Sequence, residues 1–320
     1  MTSHRPERTQ LVLTPPGTKT PVSMWFVNVP ACPEGFLMGS RGQDADAEPI
    51  HRVAIRRVAI HRVAIPEDFC PDEDDFWLGE TAVTQAQFDV WTQATGHSHA
   101  HHFKGKPDHP AENLTWHEAM EFCGWLTETC AKQFPKGFCF AELPCEAQWE
   151  YACRGGTATE YHTGDGEAAL REAGWHGEDW SSGSTHPCGG KARNPFGLYD
   201  MHGNVWEWCL DRWDSSAYRR RWDGITDRET YRLNEKFGDQ DSNPNRVLRG
   251  GSCVFTAGGC RSASRGWFRA GNRIRDNGFR VCLVRSPLAS QTSTAEPERT
   301  DSQRRDGAEG AGSDGEAEKF

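Results

Sequence analysis

Apolar positions along this chain change period often and rarely keep one period for long. Trp25-Phe26-Val27-Asn28-Val29 alternates as an edge strand does, and Gly35-Phe36-Leu37-Met38-Gly39-Ser40 reads as a short strand closed by glycines. Over Glu80–Gly96, Phe88, Trp91 and Thr92 fall three and four apart, which predicts a helix with Thr84 as N-cap and Gly96 as its stop. A second helix is predicted over Thr115–Lys132. Thr115 and Glu118 form a capping box, and Ala119, Phe122, Cys123 and Leu126 make the inner stripe. A third, Glu146–Cys153, turns Trp149 and Ala152 inward, with Glu150 and Arg154 four apart and expected to pair on its surface. Near the C-terminal end, Val247-Leu248 and Phe279-Arg280-Val281 read as buried strands flanking a long, irregular hairpin-like excursion.

Between these elements the pattern is polar or repetitive. Residues 1–22 contain Pro15-Pro16 and are expected to be a mobile lead-in. His51–Ile65 spells HRVAI-RRVAI-HRVAI, too short a unit for a solenoid. Its odd period throws the Val of successive copies to opposite faces, so three copies cannot all pack alike. One copy is expected to be a strand and the others a tolerated surface duplication, with a basic binding ribbon as the functional alternative. The acidic stretch Glu67–Asp75 reads as a solvated loop. Residues 51–75 are thus an insertion. His97–His102 holds four histidines, expected to lie in a flexible loop that binds metals nonspecifically, with a native metal site as the alternative. Glu160–Lys191 lacks periodicity. Arg212–Asn245 is expected to be a charged surface excursion with a short helix near Tyr231–Lys236. Residues 286–320, rich in Ser, Thr, Glu, Gly and Asp, cannot bury a core and are expected to be disordered.

Composition narrows the class. Thirteen Trp and 33 Gly together suggest a loop-rich fold whose core is filled by aromatics, and with the elements above the expected class is α+β, with short antiparallel strands and two main helices. A length of 320 residues suits one large domain or two smaller ones. The net charge of −10 argues against general nucleic-acid binding. No apolar run is long enough to span a membrane, and the N-terminus lacks the apolar core of a signal peptide, so a cytoplasmic location is expected by default. The twelve cysteines form no CxxC pair and no zinc spacing, and most are expected to be small buried hydrophobes.

Candidate chemistry concentrates in Arg193–Asp211, RNPFGLYDMHGNVWEWCLD. In an extended segment Gly203, Val205 and Glu207 share one face and Asn204, Trp206 and Trp208 the other. One face can bury two indoles. The other offers two carbonyls and a carboxylate, with Asp200 as a second carboxylate, an all-oxygen set that suits calcium. The competing reading is a Trp-rich core strand whose Glu caps buried backbone.

GLYDMHGNVWEW, the helix motif LPxExxWEYAxRGG (Leu143 to Gly156), RVLRGGS at Arg246–Ser252 and GFRV at Gly278–Val281 together resemble the formylglycine-generating-enzyme, or sulfatase-modifying-factor, domain family. The resemblance runs from about Met24 to Arg285 and implies a domain over 23–285 with an irregular, C-type-lectin-like fold. It implies a structural calcium ion on Asp200, Gly203, Val205 and Glu207. Glu160–Lys191 aligns loosely with the loop of the family's other calcium site, without recognisable ligands. It also implies framework roles for Arg249, Arg261, Arg265 and Arg280, leaving Arg269, Arg273 and Arg275 exposed. Family oxidases hold copper between two thiolates five residues apart after the GGS motif. Here Cys253 and Cys260 are seven apart, and neither stands at a catalytic position, so copper is not expected. The three-histidine iron pattern of the related sulfoxide synthases is missing too.

The C-terminal pattern RVLRGGS…CRSAxR…GNR…GFR is similar to that of variable proteins of diversity-generating retroelements, which display varied side chains on a rigid lectin-like scaffold. That resemblance implies a non-catalytic binding module for a protein or surface ligand. The contact residues would be Cys253, Val254, Phe255, Thr256, Trp267, Phe268, Arg269, Asn272, Arg273, Ile274, Arg275, Asp276 and Asn277. The alternatives are an undiversified binding or regulatory member of the family and, from the resemblance to the family's enzymes, an oxidase acting on a protein cysteine.

Overall fold

The computed structural model describes residues 6–17, 20–42, 44–55, 75–177, 183–238 and 240–285. The second and third HRVAI copies, most of the acidic stretch and residues 286–320 lie outside them.

Three small sheets carry the frame. The first is antiparallel throughout, in the order β1 (Arg8–Leu13), β2 (Val22–Val29), β5 (Phe76–Gly79), β12 (Cys282–Val284), β6 (Phe140–Glu142). It joins both ends of the domain. Two expectations change here. Arg8–Leu13 is a paired strand with Leu11 and Leu13 buried, so the lead-in does not extend over these residues, and Trp25–Val29 is flanked on both sides rather than at an edge. Alternate burial of Leu11 and Leu13 gives the segment the apolar face that holds it on the sheet.

A second sheet runs β10 (Arg265–Arg269), β9 (Asn245–Arg249), β7 (Trp206–Arg212), β11 (Asn277–Phe279), with only the last pair parallel. The third is β3 (Cys32–Met38), β4 (His51–Ile55) and β8 (Ile225–Thr226). Strand β4 is the first HRVAI copy, and its Val53, Ala54 and Ile55 are buried.

The helices form where the apolar stripes lie. Helix α1 (Gln85–Thr95) starts at a Thr84 capping box and ends at Gly96 in the left-handed region, φ 73°. Helix α2 (Trp116–Cys130) starts at the Thr115–Glu118 capping box. Their inner faces meet through Phe88 and Phe122, stacked at 5.8 Å, with Phe279 edge-on to both. Helix α3 (Glu146–Arg154) buries every residue. The Glu150–Arg154 pair therefore exists, at 2.8 Å, but inside the molecule rather than on a surface. Helix α4 (Gly166–Ala173) lies within Glu160–Lys191, where no element was expected, anchored by buried Leu170 and Ala173.

The segment after Arg212 is only partly a surface excursion. Strand β8 pairs with β4, and α5 (Asp227–Phe237) packs on α3 and β7. Tyr218, Arg221, Asp227, Tyr231 and Asn234 are buried. They complete a polar interior centred on two α3 carboxylates. Glu146 accepts from Arg265 at 3.0 Å and Arg221 at 3.3 Å. Glu150 accepts from Arg154, Gly39 N and Arg249. Buried charges persist only when paired in this way.

Candidate functional site

The expected binding segment begins at the turn Gly250-Gly251-Ser252. Gly250 and Gly251 take φ of 97° and 71°, where a side chain is strained. A Cβ on Gly251 would lie 2.6 Å from Cys260 Sγ, so the chain can fold back only with glycine there. The next residues are tied to the frame. Cys253 N donates to Asn204 O at 3.0 Å, Ser252 Oγ to Asp276 Oδ2 at 2.6 Å, and Trp206 N to Asp276 O at 2.8 Å. Asn277 pairs with Trp206 in the β7–β11 ladder.

This sorts the thirteen expected contact residues. Cys253, Val254, Asp276 and Asn277 are buried framework. Phe268, Ile274 and Arg275 are half-buried. Phe255, Thr256, Trp267, Arg269, Asn272 and Arg273 are exposed, with Phe255 at 37% and Trp267 at 49%. Exposure of that size on aromatics is what a contact surface needs.

Strand β10 divides the exposed set. Alternation puts Trp267 and Arg269 on one face of β10 and Gly266 and Phe268 on the other. On the first face Trp267 lies 6.3 Å from Trp213, and Arg269 pairs with Asp241 at 2.8 Å. On the second, Trp206 packs over Gly266 and meets Phe255 edge-on at 5.2 Å. Beyond the strand, Arg273 pairs with Glu118 of the α2 capping box. The surface thus wraps an edge strand instead of forming one patch. Trp206 and Trp213 were not among the expected contact residues. The signal available was their Trp content, and nothing local to them separates core from platform.

Glu118 also faces the histidine tract. His97 Nε2 lies 2.7 Å from Glu118 Oε1, His99 Nε2 3.3 Å from His101 Nδ1, and His101 Nε2 3.0 Å from Asp89 Oδ1. Burial opposes ionisation of Glu118, but hydrogen bonds from His99, Thr115 and Arg273 hold its carboxyl well below the usual range. The tract packs on Phe88 and Trp91 and is part of the core wall rather than a free loop.

The framework arginines hold the excursion in place. Arg249, fully buried, donates to the carbonyls of Ser262, Ala263 and Ser264 at 2.8–3.0 Å. Arg280 grips Glu207 with two bonds of 2.8 and 3.0 Å and also donates to the carbonyls of Gly79 and Tyr199. A planar fork suits both tasks and an ammonium does not.

Those bonds bear on the expected calcium ion. Asp200 keeps one buried oxygen, Oδ1, without a partner, as a cation ligand does, while its Oδ2 accepts from Gly189 N at 2.7 Å. Glu207 is different. Its two oxygens face the resident guanidinium of Arg280, and Oε2 also accepts from Trp149 Nε1 at 2.7 Å. The carbonyl of Gly203 accepts from Val205 N at 3.0 Å. Calcium takes six to eight oxygens. With Glu207 filled, Asp200, Gly203, Val205 and Glu207 do not fit the ion as a set. Among the described residues no three His, Cys, Asp or Glu converge as metal ligands.

The sulfurs are likewise closed off. Cys253 and Cys260 are 3% and 0% exposed. Burial pushes both thiols up to about 12, and Cys260 Sγ donates to Ser252 O at 3.9 Å. Neither sulfur lies at the surface of the domain.

Residues 32–285 match the model of the sulfatase-modifying factor enzyme 1-like domain. The chain belongs to that family. The formylglycine-generating enzyme of Streptomyces coelicolor is 28% identical over 247 residues, spanning 57% of this chain and 68% of that protein. Variable protein 1 of Treponema denticola superposes with a TM-score of 0.62 at 23% identity, over 87% of this chain and 99% of that one. PvdO of Pseudomonas aeruginosa gives 0.60 at 22%, over 86% and 98%. The two structures establish the fold of this sulfatase-modifying-factor domain, a formylglycine-generating-enzyme-type relative of the C-type lectins. Among its described residues no helix is long and apolar enough to cross a membrane.

Proposed function

We propose that this sulfatase-modifying-factor domain is a non-catalytic binding module of the retroelement variable-protein type. It holds a protein or surface ligand with β10 and the loops on either side. The observation that carries the reading is the contrast within one segment. Phe255, Thr256, Trp267, Arg269, Asn272 and Arg273 project to solvent, while Cys253 and Cys260 are sealed in the frame. Aromatic and Arg side chains on a frame fixed by buried ion pairs can vary without unfolding it. The likeness to the Treponema variable protein supports the scaffold.

The second reading, an oxidase acting on a protein cysteine, draws on the similarity to proteins named formylglycine-generating enzyme. One pair of experiments separates the two. The coding DNA for Arg246–Arg285 should have a nearby near-copy differing mainly at adenines, with a reverse-transcriptase gene beside it; a locus with neither removes the diversified reading. Purified protein loaded with Cu(I) should leave a sulfatase-derived cysteine peptide unconverted. Turnover that disappears in Cys260→Ser would establish the oxidase instead.

A further inference from the structure

The outer edge of β10 is open, and we propose that it takes an extended acidic peptide of a partner protein as an added strand. The inference rests on the binding reading above and names the kind of partner for the same surface.

The ladder fixes which backbone groups are available. Just beyond β10, Ala270 N donates to Pro244 O at 2.9 Å. Bonded and unbonded positions alternate in an antiparallel pair. With Phe268 opposite Arg246 and Gly266 opposite Leu248, the bonds from β10 to β9 therefore run through Phe268 and Gly266. On β9 the intervening Asn245 faces the other way, its carbonyl accepting from Trp213 N at 2.8 Å. Arg265, Trp267 and Arg269 thus turn their N–H and C=O away from β9. Arg269 O takes Asn272 N at 3.0 Å. Trp267, 49% exposed, presents both of its groups at the edge.

The five-stranded sheet treats its edges differently. In β1, Val12 N donates to Gln133 Oε1 at 2.8 Å, and Val12 O accepts from Gln133 Nε2 at 3.3 Å. In β6, Ala141 N donates to Thr127 Oγ1 at 2.8 Å, and Ala141 O accepts from the same hydroxyl at 3.5 Å. Side chains so placed keep an edge from pairing with another chain. Among the described residues no such bond closes Trp267.

The charges choose the occupant. Cys253–Asn277 carries Arg261, Arg265, Arg269, Arg273 and Arg275 against Asp276 alone, in a chain of net charge −10. A second copy paired antiparallel about Trp267 would set its Arg265 opposite Arg269, and like charges directly opposite destabilise a ladder. A carboxylate there meets Arg269 favourably. The present partner, Asp241, is as open as Arg269, 47% each, so exchanging it costs little. Two positions along the same face, an apolar side chain would lie against the indole of Trp267, which has Trp213 6.3 Å away. Main-chain bonds then supply affinity and alternate side chains supply specificity.

Amide exchange measured by NMR on the full chain reads the edge directly. Without ligand, Gly266 and Phe268 should be protected and Trp267 should exchange as an open amide. A displayed library of random linear peptides, panned on the full chain, should enrich sequences with an acidic and an apolar residue two apart. The enriched peptide, made synthetically, should protect the Trp267 amide. N-methylation along it should abolish binding at every second residue and be tolerated in between. Trp267→Pro removes the edge N–H, a change that edge strands accept, and should weaken the peptide about tenfold. Trp267→Ala keeps that N–H and should leave the N-methylation pattern unchanged. The proposal is overturned if Trp267 is protected in the free chain, if no linear peptide enriches, or if the enriched peptide tolerates N-methylation throughout. A dimer that Trp267→Pro dissolves would make the occupant a second copy and overturn it too. A ligand lost in Trp267→Ala that leaves the Trp267 amide open would keep the binding reading and remove strand addition; the binding reading itself fails separately, in the oxidase assay above.

Discussion

Glu207 lies between Arg280 and the indole of Trp149, all three buried. Removing one partner of a buried ion pair leaves the other charge uncompensated, which costs about 3–5 kcal/mol. Glu207→Ala should therefore lower unfolding free energy by about that much. The loss should be the same in calcium and in chelator, because its cause is the stranded Arg280. Denaturant melts in both buffers measure this, and a loss confined to the calcium buffer would contradict the arrangement. The framework role of Arg280 and Arg249 was legible from the family motif and from the preference for Arg over Lys. Their partners were not, since a carboxylate 73 residues away from Arg280 in the chain carries no local mark.

At the scale of elements, capping explains why α1 and α2 begin where they do. Thr84 Oγ1 accepts from Gln87 N at 3.3 Å, and Thr84→Ala should cost about 1 kcal/mol. Thr115→Ala should cost more, because Thr115 Oγ1 also donates to Glu118 Oε2. Equal losses in the two melts would count against that ranking. Where α3, β7 and α5 meet, Asp211 is fully buried beside Glu146 N and Asn234. Burial and the neighbouring Glu146 push its pKa up from 3.8 to about 7. The folded protein therefore holds this proton at pH values where the unfolded chain has lost it. Stability should rise as pH falls from about 7 towards 4, by up to about 1.4 kcal/mol per pH unit from this group. Glu146 has the opposite sign. Burial alone would raise it, but Arg265, Arg221 and Arg249 take it down to about 2, so its contribution is lost below about pH 4.5. A pH series of melts should show the upper slope flattened in Asp211→Asn; an unchanged slope would place the titration elsewhere. That Arg212–Asn245 contributes Ala217, Tyr218, Ile225 and Tyr231 to the core was hidden because its apolar residues are sparse and lie between exposed charges, which leaves no hydrophobic period to read.

For the molecule as a whole, the exposed set around β10 should be separable from stability. Trp267→Ala and Arg269→Ala should each change unfolding free energy by no more than about 0.5–1 kcal/mol, since Trp267 is half open and the Arg269–Asp241 pair is solvent-accessible on both sides. A loss comparable to that of Glu207→Ala would make these residues framework.

The sequence by itself determined the family, the fold class, the first three helices with the Thr84 and Thr115 caps, and the framework place of Arg249 and Arg280. These rest on local signals: capping residues, apolar period and specific motifs. Only the tertiary structure decided that Arg8–Leu13 closes a sheet, that Glu207 faces Arg280, and that four of the thirteen expected contact residues are sealed inside. The reason is that pairing in this domain is long-range, between loops whose polar side chains find partners far along the chain, and burial by such pairing leaves no periodic trace in the residues themselves.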